Sequence, residues 1–181
     1  MNHQSRRAPF LPDFTGPAGS ELLGIYLNDH LAGATAGVGR ARHLVSACRG
    51  SAVGEAMAPV ADEIAQDRRT LLAIMRKLDV PVRRYKVYAG RLGERAGRLK
   101  SNGRLVRRSP LSTLLELELL HAGVVGKSRA WHVLRQLAEH DERLDAPQFD
   151  ALLERARGQM RTIDELHRRQ TEETFAQPGS T

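Results

Sequence analysis

From Leu27 to Cys48 the apolar residues advance by alternating steps of four and three: Leu27, Leu31, Ala34, Val38, Ala41, Val45 and Cys48. That period draws one stripe along an α-helix and cannot be laid on a pleated strand. No stretch of the chain alternates apolar and polar residues over a strand length, so the expected fold class is all-α. Glu21 to about Cys48 reads as the first helix, with Ser20 as its N-cap. Gly24, Gly33, Gly37 and Gly39 each cost a helix about 1 kcal/mol against Ala. The expected return is close approach of a neighbouring helix.

Three further long helices follow from the same reasoning. One runs from about Met57 to Leu78, with Pro59 in its first turn and Val60, Ile64, Leu71, Ile74, Met75 and Leu78 inward. Asp67 falls in line with Ile64, Leu71 and Ile74, so it should be at least half buried. Ser109-Pro110 opens another, to about Glu139, in which Leu111, Leu114, Leu115, Leu117, Leu119 and Leu120 surround the axis and predict a buried helix. The last runs from about Pro147 to Ala176, with Asp145 and Gln148 placed as a capping box. Pro81 starts a shorter helix to about Leu99, closed by Ser101-Asn102-Gly103.

Short turns join the first two and the last two long helices, which makes two antiparallel hairpins. About thirty residues, Asp79 to Ser109, lie between them, enough to cross a bundle from end to end. The expectation is an up-down four-helix bundle with one long crossover carrying a short extra helix, ferritin-like in outline. Residues 20–176 form one domain, between a flexible arm (1–19) and a polar tail (177–181).

Composition excludes several classes. Hydrophobic residues make up 41% and charged ones 27%, a globular balance and not a disordered one. One Cys rules out an intramolecular disulfide framework and a Cys-based zinc cluster. No apolar run is long enough to span a bilayer. Arg6 and Arg7 stand near Phe10 and Leu11, as in a twin-arginine signal, but Pro12, Asp13, Gly16 and Pro17 occupy the place of its apolar region. The expected address is cytoplasmic.

Charge is concentrated. Between residues 83 and 108 stand ten basic side chains: Arg83, Arg84, Lys86, Arg91, Arg95, Arg98, Lys100, Arg104, Arg107 and Arg108. Only Glu94 opposes them, a net of +9, while the whole chain carries +7, so everything else sums to −2. A localised positive field attracts anionic partners, here nucleic acid or an acidic protein. No helix-turn-helix, RNP motif or zinc finger accompanies it. The leading expectation is therefore a non-catalytic protein that meets an anionic partner through its crossover, with no cofactor. Dimerisation through the Gly-rich face of the first helix is a weaker alternative.

The rival expectation is a metal centre. Glu118-Leu-Leu-His121 and Asp164-Glu-Leu-His167 each put a carboxylate and an imidazole one turn apart, and Glu63 and Asp67 stand at i, i+4. Level by level, the six could converge on a metal ion, as in a metal-binding protein or oxidoreductase. No Ser, Cys or Thr is paired with a base in a nucleophile motif, so no catalytic residue is assigned. Asp29-His30 reads as a structural ion-pair element, and Cys48 as a packed thiol.

These Glu/Asp-x-x-His elements resemble those of ferritin-like di-metal proteins, and the likeness implies iron or manganese held by the six residues. The motif is partial: the first helix offers Gly37 and Gly39 where a Glu is needed, and Glu63 is followed by Gln66 where a His is needed. Residues 22–37, 67–86 and 97–120 also look like segments of an uncharacterised bacterial helical-bundle family. That resemblance implies a helical bundle and carries over no functional residue.

Overall fold

The computed structural model describes residues 17–83 and 110–176. It is helical, with four long α-helices and no strand among the described residues. They are α1 (Pro17–Ala47), α2 (Ala52–Lys77), α3 (Pro110–Leu137) and α4 (Ala146–Phe175). Two tight hairpins, α1–α2 and α3–α4, pack against each other through α1 with α3 and α2 with α4.

The core divides into two apolar clusters. Leu27, Leu31, Ile74, Met75, Trp131 and Phe149 belong to one, and Leu44, Met57, Ile64, Leu117, Ala156 and Ile163 to the other. Both α2 and α3 run from the second cluster to the first.

Several local expectations are corrected. Helix α1 starts at Pro17, a residue that the first helical turn tolerates, so Ser20 lies inside the helix. The α1–α2 turn is far shorter than expected. Gly50 takes it at φ 77°. Ser51 caps α2: its hydroxyl accepts from Gly54 N–H at 3.3 Å and donates to Cys48 C=O at 2.7 Å. Pro59 therefore sits inside α2. Gly54 is required by space, since a Cβ there would lie 2.2 Å from the Cys48 carbonyl oxygen. At the other end Asp145 makes no side-chain cap bond; its carboxylate is exposed.

Helix α2 ends before Asp79-Val80-Pro81, as the restriction on residues before proline predicts. Pro81–Arg83 are not helical, so no helix starts at Pro81. Asn28, fully buried, holds this exit. It accepts from Arg83 N–H at 2.7 Å and donates to Pro81 C=O at 3.0 Å and Gly24 C=O at 2.8 Å.

Helix α3 is not buried all round. Leu114, Leu117, Leu120 and Val124 enter the core, while Leu111, Leu115 and Leu119 keep 45%, 41% and 48% of their surface exposed.

Candidate functional site: a glycine-walled cleft over a buried charge layer

Between the two apolar clusters lies a polar layer built by α2, α3 and α4. At its centre Asp67 is 2% exposed. Its Oδ2 accepts from Lys127 Nζ at 2.5 Å and from Gln159 Nε2 at 3.2 Å, and its Oδ1 accepts from the Arg155 guanidinium. Gln159, also buried, accepts from Lys127 Nζ at 2.5 Å through Oε1 and donates to Glu63 Oε2 at 3.0 Å. Two cations and two carboxylates balance in this layer. A buried charge survives only when it is paired and hydrogen-bonded; Asp67 meets that condition, while Arg155 keeps a buried Nε–H without a hydrogen-bond partner. Burial pushes the Lys127 ammonium below the ordinary lysine range, and the adjacent Asp67 carboxylate pulls it partly back.

Over this layer α1 and α3 lie side by side. A cleft of about 650 Å³ runs between them, floored by Ile64, Asp67 and Leu71 of α2. Its walls carry Gly33, Gly37 and Gly39 on α1 and Gly123 and Gly126 on α3. His43 Nε2 lies 3.8 Å from Glu116 Oε1 and sets the register of these antiparallel helices. In that register Gly33 comes level with Gly126, and Ala36 with Gly123.

The glycines that line the cleft face open space. A Cβ at Gly33, Gly39, Gly123 or Gly126 would meet nothing within 4 Å, and one at Gly37 would reach only Ile64 Cγ2, at 4.0 Å. The missing side chains leave open space that ordinary residues would fill. Polar groups stand along its length: Asp29 and His30 near Trp131, Arg40 and His43 near Leu119, and Lys127 with Asp67 between. His30 stacks edge-on against Tyr26, with ring centroids 4.5 Å apart.

The six proposed metal ligands do not converge. Glu63 and Asp67 belong to the buried layer, where the Asp67 oxygens are taken by Lys127, Arg155 and Gln159. The other four pair across the α3–α4 face: His121 Nε2 with Asp164 Oδ1 at 3.2 Å, and His167 Nε2 with Glu118 Oε1 at 3.1 Å. The two x-x-His elements thus face each other across α3 and α4, and each imidazole is answered by a carboxylate of the facing helix. Among the described residues no three His, Cys, Asp or Glu side chains are placed to hold a metal ion.

Of the ten basic residues, only Arg83 is described. Its side chain is exposed and its backbone N–H goes to Asn28. Arg84, Lys86, Arg91, Arg95, Arg98, Lys100, Arg104, Arg107 and Arg108 lie outside the described residues, as do the rest of the segment expected to form a short helix, residues 1–16 and residues 177–181. No described helix is long and apolar enough to cross a membrane.

Sequence reasoning found Asp67 by its place on the apolar stripe but missed Lys127, Arg155 and Gln159. Lys127 stands between Gly126 and Ser128 with no periodic cue. Gln159 shares a face with Ala156 and Ile163, three back and four on, a signal the stripe contained. Matching the chain against protein-family models, curated proteins and solved structures finds no similar protein.

Proposed function

We propose that this chain is a binding protein that takes a small, largely apolar molecule in the cleft between α1 and α3. The observation that carries the reading is the pair of glycine walls facing space that no side chain enters. Cleft volumes of about 300–1,000 Å³ are usual for ligand sites, as are apolar walls with a few convergent polar groups. Each helical glycine costs about 1 kcal/mol, and the cleft is the feature that gives that cost a use.

The test uses diphenylhexatriene, an apolar dye without hydrogen-bonding groups. Wild type is expected to bind it saturably with enhanced emission, and Gly123→Leu or Gly126→Leu to abolish this while helical circular dichroism persists. No saturable binding to wild type, or full binding by both folded variants, overturns the reading.

A second reading rests on the sequence. The net +9 between residues 83 and 108, against −2 elsewhere, supports a crossover that meets nucleic acid or an acidic protein in the cytoplasm, on a bundle of ferritin-like outline. Its affinity for DNA, RNA or heparin must then fall steeply with salt, because phosphate contacts release counterions.

A further inference from the structure

The cleft is long and narrow, and its two ends differ in charge. On α1 its lining runs from Asp29 to His43, fourteen residue steps or about 21 Å of helix. Spread over that length, about 650 Å³ leaves a mean cross-section of about 30 Å², which suits one extended chain better than a compact body. The middle of the cleft offers little polar surface. Asp67, on the floor, is 2% exposed, and the Lys127 ammonium is turned to Asp67 and Gln159.

The ends are different. Arg40 and His43 stand at one, Asp29 and His30 at the other. Arg40 is half-buried, lines the cleft, and pairs with no carboxylate among the described residues. Glu116, outside the lining, faces His43 instead, at 3.8 Å. At the far end the Asp29 carboxylate acts on the neighbouring His30 imidazole and favours its protonated form. A ligand cation at Asp29 would compete with that imidazole, whereas a ligand anion at Arg40 would meet a guanidinium that no described carboxylate holds.

Resting on the cleft reading above, we infer that the ligand is a long-chain carboxylate, its head on the Arg40 guanidinium and its tail laid along the cleft toward the Asp29 end. The planar guanidinium offers paired N–H groups that fit a carboxylate, and one positive charge answers one negative. From Arg40 to Asp29 are eleven residue steps, about 16 Å. A zigzag of C–C bonds of about 1.5 Å covers that distance in about thirteen carbons. The tail fills the space the glycines leave, and a longer one emerges into water.

The experiment first compares three heads on one ten-carbon tail: decanoate, 1-decanol and decyltrimethylammonium, titrated calorimetrically into the full chain. Decanoate is expected to bind at least about fivefold more tightly than the other two, the scale of a hydrogen bond to a charged group. Arg40→Gln is expected to remove that preference and leave 1-decanol and diphenylhexatriene unchanged. Gly126→Leu is expected to lose decanoate and dye together. With carboxyl-labelled decanoate, nuclear magnetic resonance should show the bound head titrating at lower pH in wild type than in Arg40→Gln. Among carboxylates alone, affinity is expected to rise with each added pair of methylenes as far as tetradecanoate and to level off by octadecanoate.

Equal binding of 1-decanol or decyltrimethylammonium overturns the inference. So does a preference for decanoate that survives Arg40→Gln, or decanoate bound undiminished by Gly126→Leu. In those cases saturable binding of diphenylhexatriene keeps the cleft reading intact; if wild type fails to bind the dye, that reading falls first.

Discussion

Asp67 is where single-residue chemistry matters most. Its carboxylate pairs with both Lys127 and Arg155 in a place that water barely reaches. Asp67→Ala leaves a buried ammonium uncompensated, and breaking such a pair costs about 3–5 kcal/mol; the urea midpoint should fall accordingly. Asn28→Ala is expected to cost about 1–3 kcal/mol, the usual loss when buried groups are left unsatisfied, and is read from the same transition. His30 sets a pH dependence. Burial holds its imidazole below the ordinary value of 6.5, against an opposing pull from Asp29. The folded state therefore favours the neutral ring. Its contribution is present above pH 6.5 and is lost as pH falls through the lower folded value. Wild type should lose stability more steeply than His30→Gln between pH 7.5 and 5.

At the scale of the element, glycines divide into two kinds. Gly54 is fixed by space, because any Cβ would strike the Cys48 backbone. Gly54→Ala should destabilise by about 1–3 kcal/mol, as overpacking does. Gly33 and Gly126 meet no such obstacle. Gly33→Ala or Gly126→Ala should raise the unfolding free energy by about 1 kcal/mol each, the helix-propensity gain, while weakening binding of the dye in the cleft. Thermal melts on the three variants separate the two kinds by sign. Helix α3 shows the same divergence between pattern and use. Its leucines surround the axis, but neighbouring helices cover only part of it, and Leu111, Leu115 and Leu119 stay exposed.

Across the whole molecule, the buried charge layer separates two apolar clusters and faces the cleft, so occupancy of the cleft should couple to global stability. A ligand that binds only the folded state adds RT ln(1 + [L]/Kd), about 2.7 kcal/mol at a hundredfold excess over Kd. Saturating diphenylhexatriene should therefore raise the melting temperature of wild type, and Gly126→Leu should show no such rise.

The helical class, the four long helices and the opposed Glu118/His121 and Asp164/His167 pairs follow from the sequence, because a 3.6-residue period is local and short hairpin turns leave little freedom in register. Helix ends were less legible. Ser51 and Pro59 could each be assigned to turn or helix until the close contact at Gly54 was known. The cleft was not legible at all. A glycine row reads equally as a seam or as a gap, and only the facing helix decides between them. Asp67 was visible as a buried acid, but its partners come from α3 and α4, 60 and 88 residues further on. What such an acid meets is set by packing between distant segments, which no local pattern encodes. The chain's own period makes the bundle; tertiary packing sets α1 beside α3 so that their glycines line one cleft above Asp67.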